Sequence, residues 1–174
     1  MAYLSLHGNC IRDEVSKNIV IMVFTEGTIL GPRNIFLQFN HASYVPIKSC
    51  IHILKAWEKQ GAGIFYITSR KKIKQVNTIK NILLNYGFPG HSLYYREKGQ
   101  KYKDLVEEVH PDVLVEDDCK SIGGKWQMSI TYVKHELKET IKSIVVKEFK
   151  GINHLPEQLS ELIKFSSEVR YWLR

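Results

Sequence analysis

The chain alternates short, wholly apolar runs with longer segments whose apolar positions recur every three or four residues. Residues 18–24 form a run rich in β-branched side chains with no polar alternation, as expected of a strand covered on both faces. Residues 63–68, 91–96 and 112–116 repeat that character. Between them, Ile47, Cys50, Ile51, Leu54 and Trp57 make one helical stripe that opens after Pro46 and closes at Gly61. Ile73, Val76, Ile79 and Leu83 make a second stripe, ended by Gly87. Tyr102, Leu105, Val106 and Val109 make a third, stopped by Pro111. Residues 128–133 and 143–149 are predicted as further strands, and 157–165 as a terminal amphipathic helix. Such alternation predicts an α/β fold, a three-layer Rossmann-like parallel sheet with helices on both faces. No repeat or linker interrupts it, so residues 18–174 are read as a single domain and 1–17 as an N-terminal extension.

Composition changes this picture little. Hydrophobic residues make up 44% and charged residues 25%, which is ordinary for a globular chain. The longest apolar run, 19–24, is too short to span a bilayer, and residues 1–18 hold no signal-peptide hydrophobic region. A cytoplasmic protein without a membrane partner is expected. Cys10, Cys50 and Cys119 lack CxxC spacing and read as reduced structural thiols.

Charge says more. The net charge of +7 favours anionic partners, among them a phosphorylated small molecule or macromolecule. Arg70, Lys71, Lys72, Lys74 and Lys80 crowd one helical segment, which reads as a solvated face. The alternative, a nucleic-acid surface, has no RNA-recognition, zinc-finger or helix-turn-helix signature beside it.

In an open parallel sheet, ligands bind beyond the carboxyl ends of the strands. Those positions carry Phe24, Thr25, Glu26, Gly27 and Thr28 after the first strand, and Thr68, Ser69 and Arg70 after the second. Glu116, Asp117 and Asp118 follow the fourth, with Lys98, Lys101 and Lys103 just upstream of it. Hydroxyls and ammonium groups suit phosphate oxygens, and carboxylates suit a hard cation such as Mg²⁺. Each piece has a plainer reading: Thr68-Ser69 as a helix cap, the acidic trio as a solvated turn, Lys101 as a surface lysine.

Taken in order, these segments resemble the haloacid-dehalogenase superfamily. The run Phe-Thr-Glu-Gly-Thr at 24–28 is similar to its first motif, Asp-x-Asp-Gly-Thr after an apolar strand. The segment 63–69 resembles the second motif, Lys101 falls where a third-motif lysine is expected, and 112–118 resembles the acidic fourth. The resemblance implies that Thr68, Ser69 and Lys101 bind a phosphoryl group, and that Asp117, with Asp118 as a second candidate, holds Mg²⁺. It puts Glu26 at the acid/base position and, with Lys101, in the catalytic set. It also puts Phe24 where the family keeps its nucleophilic Asp, and a phenyl ring neither attacks phosphorus nor ligates a cation.

Neither 30–46 nor 68–101 is long enough to house a cap domain, so a capless core with an open site is expected. An open site suits a macromolecular substrate or a lid from another subunit in a homo-oligomer. Phe36, Phe39, His41 and Tyr44 either form a flap over it or pack on the sheet edge. On strand alternation, Thr25 is expected to point away from the face shared by Phe24 and Glu26. Three functions remain: a phosphatase-related hydrolase of low or altered activity, a silent phosphate- or nucleotide-binding module, and, behind these, a nucleic-acid-binding protein using the basic segment 70–80.

Overall fold

The computed structural model describes residues 2–6, 18–37 and 40–165. Its main sheet is built from β1 (Tyr3–Ser5), β2 (Val20–Phe24), β5 (Gly63–Ile67), β6 (Ser92–Tyr94), β7 (Val113–Asp117) and β8 (Lys142–Val146). Their spatial order is β1-β6-β5-β2-β7-β8. All neighbours are parallel except β1, which joins the edge antiparallel to β6. The short hairpin of β3 (Leu30–Pro32) and β4 (Tyr44–Pro46) stands beside the sheet. The helices are α1 (Cys50–Lys59), α2 (Ile73–Asn85), α3 (Tyr102–Val109), α4 (His135–Lys138) and α5 (Leu159–Lys164).

Strand alternation sorts the core into two layers. Ile21, Val23, Ile64, Tyr66, Val113, Val115 and Ile144 pack with Leu54 and Trp57 of α1, Ile79 and Leu83 of α2, and Leu162 of α5. Met22, Phe24, Leu114 and Val145 face the other way, onto Leu105 and Val106 of α3 and onto Ile130. Both faces of the sheet are therefore covered, which is why its central strands carry no polar alternation. Because β2 lies between β5 and β7, the chain winds outward from it in both directions. The carboxyl end of β2 is thus the topological switch point, where a crevice opens.

Three of the predicted strands differ in the structure. Residues 128–133 do not form a strand; Ser129–Tyr132 is a 3-10 turn instead. The cause is Glu116, whose buried carboxylate accepts the Ser129 N–H (2.8 Å), the Ser129 hydroxyl (2.8 Å) and the Ile130 N–H (3.1 Å). That leaves these backbone groups bonded to a side chain and not to a neighbouring strand. The strands predicted at 91–96 and 143–149 end early, at Tyr94 and Val146. Residues 3–5, inside the stretch read as an extension, supply β1, while 7–17 and Phe39 lie outside the described residues. Among the described residues, 30–46 contributes only the hairpin and two short helical turns, and 68–101 only α2 and β6; neither builds a cap. No helix among them is long and apolar enough to cross a membrane.

Candidate functional site

At the carboxyl edge of the sheet lies a cleft of about 980 Å³. Phe24, Glu26, Ser69, Lys101 and Asp117 line it, coming from four separate segments that the sheet order brings together. Thr68 and Asp118 stand behind that wall, each buried.

The loop after β2 is shaped by Gly27. Thr25 O accepts the N–H groups of Ile29 and Leu30, and the Gly27 N–H bonds Leu30 O, which closes a tight turn. Gly27 takes φ +85°, and a Cβ built there would lie 2.6 Å from Asp117 Oδ1. Only glycine lets the loop meet that carboxylate so closely. Thr28 then donates its hydroxyl to Asp117 Oδ1 (3.1 Å).

Glu26 is the most heavily bonded group in the cleft. Its carboxylate accepts from the Thr25 hydroxyl (2.5 Å), the Thr68 hydroxyl (2.8 Å) and the Ser69 N–H (3.1 Å), and pairs with Arg70 Nε at 3.0 Å. The hydroxyl and amide that the motifs mark as phosphate donors are thus taken up by a carboxylate of the same chain. Thr25 does point off the cleft wall, with its hydroxyl also reaching Ile67 O (3.1 Å), yet it still touches Glu26 because the strand ends at Phe24 and alternation ends with it. Arg70 extends the chain of contacts to His41, its Nη1 lying 2.8 Å from His41 Nε2. Burial, then the Arg70 charge, holds the His41 pKa below its usual value, so a neutral imidazole accepts from the guanidinium.

Phe24 packs on the α3 side, edge-on to the Tyr102 ring at 5.3 Å between centroids. Tyr102 also meets a cation: the Arg96 guanidinium carbon sits 3.6 Å from its ring centroid. Arg96 Nε is buried without a hydrogen-bond partner among the described residues. Lys101 caps α3, its N–H bonded to Asp104 Oδ2 at 2.7 Å, and its exposed side chain borders the cleft. Lys103, also on that wall, is already paired with Asp104 and Glu107, each at 3.3 Å.

The opposite wall is acidic. Burial pushes Glu116 up to about 7, against the pull of its bonds from Ser129 and Ile130. Burial also raises Asp117 to about 6, with the nearby Glu148 charge adding to the rise and bonds from Cys119 N–H and Thr28 opposing it. Asp117, Asp118 and Glu148 each present a carboxylate oxygen within 4.8 Å of the others. Hard oxygen donors this crowded, with mutual repulsion raising a pKa, are a set that a divalent cation fits. The acidic trio is no solvated turn: Glu116, Asp117 and Asp118 are all buried.

Arg96 and Glu148 escaped the sequence reading although each lies just beyond a strand's carboxyl end. Running those two strands past Tyr94 and Val146 hid both residues in extensions that the strands do not have. Of the loop aromatics, His41 and Tyr44 line the cleft, whereas Phe36 is 91% exposed and stands away from it. Lys71, Lys72 and Lys74 are exposed around the start of α2, while Arg70 turns inward to Glu26. Burial raises the thiols of Cys50 and Cys119 well above the usual range, leaving both protonated; Cys10 lies outside the described residues.

No protein-family model matches the sequence, and no curated protein matches it. Solved structures do. The chain is similar to a chain in the structure of the Pnkp1/Rnl/Hen1 RNA repair complex, with TM-score 0.54 and 15% identity, covering 78% of this chain and 45% of that one. It is also similar to the class C acid phosphatase from Bacillus anthracis with tungstate bound, with TM-score 0.51 and 20% identity, covering 79% of this chain and 70% of that one. At such identities the likeness concerns the fold alone, an α/β core in which helices flank a mostly parallel six-stranded sheet.

Proposed function

We propose that this chain is a phosphatase-related protein that has kept a phosphate-and-cation cleft and lost the covalent route through it. The observation that carries the reading is Phe24, an apolar ring at the end of β2, on the wall of a cleft that also carries Glu26, Arg96, Lys101 and Asp117. Arg96 and Lys101 meet an incoming phosphoryl group first, and it competes with Glu26 for the Ser69 N–H and the Thr68 hydroxyl. Asp117, with Asp118 and Glu148, would hold Mg²⁺, which supplies charge neutralisation beside the phosphoryl oxygens. With no carboxylate at position 24, only water is left to attack phosphorus, and Glu26 is the group on hand to take its proton. Turnover by that route is slow.

A silent binding module is the second reading, and the donors already bonded to Glu26 favour it. Both readings predict phosphate binding, so the test is kinetic. A panel of phosphoesters is to be assayed with Mg²⁺, alongside titration of inorganic phosphate. Binding with slow turnover that falls further in Glu26→Gln supports the first reading. Binding with no turnover supports the second. Brisk turnover through an acid-stable phosphoenzyme contradicts both.

A further inference from the structure

We infer that the phosphorylated ligand is a nucleotide, whose base lies on an aromatic platform at the far wall of the same cleft. This deepens the phosphate-binding reading above and rests on it. The cleft has room for far more than a phosphate: about 980 Å³, at the upper end of small-molecule sites. Its wall past Asp117 carries Ile122, Trp126 and Tyr132, which are 64%, 62% and 51% exposed. Large apolar side chains so exposed, gathered at a cleft that also carries Arg96, Lys101 and Asp117, mark a surface that a ligand covers.

This platform is braced. The Tyr132 hydroxyl donates to Trp126 O at 3.0 Å, and the Thr131 hydroxyl to Lys125 O at 2.6 Å. Buried Glu116 pins the start of the 129–132 turn from below. Trp126 is therefore presented by a fixed segment, with Lys125 Nζ 5.1 Å from its ring centroid. A sugar phosphate would leave these rings in water, whereas a nucleobase offers a π-face to stack on them. Gln127, on the same wall, adds an amide donor and acceptor suited to a base edge. The phosphate end meets the cations of the cleft wall, Arg96 and Lys101. One cleft thus pairs a stacking surface with an anion wall.

The nucleotide can be free or the end of a strand, and the experiment separates these. The full chain is titrated with inorganic phosphate, ribose 5-phosphate, adenosine, adenosine 5′-monophosphate and a short single strand bearing a terminal phosphate. Tryptophan emission is followed beside calorimetry. The expected result is that adenosine monophosphate binds at least about tenfold tighter than ribose 5-phosphate and quenches emission. Trp126→Ala removes that advantage and leaves ribose 5-phosphate unchanged, while Trp126→Phe keeps most of it. A strand that outbinds the mononucleotide assigns the ligand to a nucleic-acid end; equal affinities assign it to the free nucleotide. Equal affinity for adenosine monophosphate and ribose 5-phosphate overturns the inference, as does an advantage that survives Trp126→Ala. Trp126-dependent binding of adenosine with no response to inorganic phosphate would leave the base platform standing and sink the phosphate reading beneath it.

Discussion

The Thr68 hydroxyl donates to Glu26 Oε1 at 2.8 Å, so a donor at the switch point of the sheet is already bonded to an anion of its own chain. Ser69 N–H and Arg70 Nε bond the same carboxylate. On the proposed function, Glu26 is thus an internal competitor for phosphate. Glu26→Ala frees all three donors and is expected to raise the affinity for inorganic phosphate about tenfold or more, measured by calorimetry. The variant is also expected to be less stable by about 2 kcal/mol, because Arg70 loses a largely buried partner. Added phosphate restores part of the lost melting temperature by mass action. Unchanged phosphate affinity would show that these donors do not face the ligand.

Gly27 offers a sharper test of local geometry. Gly27→Ala combines left-handed backbone at φ +85° with a Cβ placed 2.6 Å from Asp117 Oδ1. Gly99 has nearly the same φ, +88°, and nothing within 4 Å of an added Cβ. Gly99→Ala should therefore cost only the backbone strain, about 1 kcal/mol. Gly27→Ala should cost about 2–4 kcal/mol and weaken divalent-cation binding as well, since Asp117 must move. Thermal melts of the two variants, with and without Mg²⁺, separate strain from contact. Equal losses in both would mean that the approach to Asp117 is immaterial.

The contrast between these glycines bears on what the sequence can disclose. Gly27 and Thr28 set a register in which Phe24, Glu26, Thr68, Lys101 and Asp117 could be placed at one sheet edge, because apolar runs locate strand ends and strand ends locate the cleft. Glu116 shows where such reasoning stops. In a strand it reads as one more acidic residue near a turn, yet its burial and three bonds to Ser129 and Ile130 replace a predicted strand by a 3-10 turn. That effect depends on a contact between positions 116 and 129 that no periodicity encodes. The same holds for Arg96, whose role on Tyr102 is visible only when α3 is packed against β2. The bond from Thr68 to Glu26 likewise needs β2 and β5 side by side.

Glu116 also predicts a pH dependence. Its pKa is raised from 4.5 to about 7 by burial, so the folded state binds its proton more tightly than the unfolded chain does. The stability this contributes is fully present below about 4.5 and is lost as pH rises through about 7. The span amounts to roughly 3 kcal/mol at most. Melting temperature measured from pH 5 to pH 8 should fall in the wild type. In Glu116→Gln the slope should flatten, though the variant starts lower because one acceptor for Ser129 or Ile130 becomes a donor. A wild type with no slope across this window would show that the carboxylate is ionised at no cost.

Phe24 is the decisive position. It lines the same cleft as Asp117, packs on Tyr102, and is 9% exposed. Phe24→Asp would place a carboxylate on the cleft wall that Asp117 shares, where Mg²⁺ would find an additional oxygen ligand and a phosphoryl group a nucleophile. The substitution removes a packed ring, at a cost on the order of 3–5 kcal/mol, so melting and circular dichroism must first establish a folded variant. Phe24→Asn is the control, since it leaves the same cavity without the charge. Mg²⁺ affinity is expected to rise about tenfold or more in Phe24→Asp and to change little in Phe24→Asn. Trapping of an aspartyl phosphate, even at trace turnover, would add the nucleophile to the restored cation site. If both variants fold and bind Mg²⁺ as the wild type does, position 24 does not face the cation. In that case the missing carboxylate would not explain slow chemistry, and the loss of a covalent route would have to be abandoned.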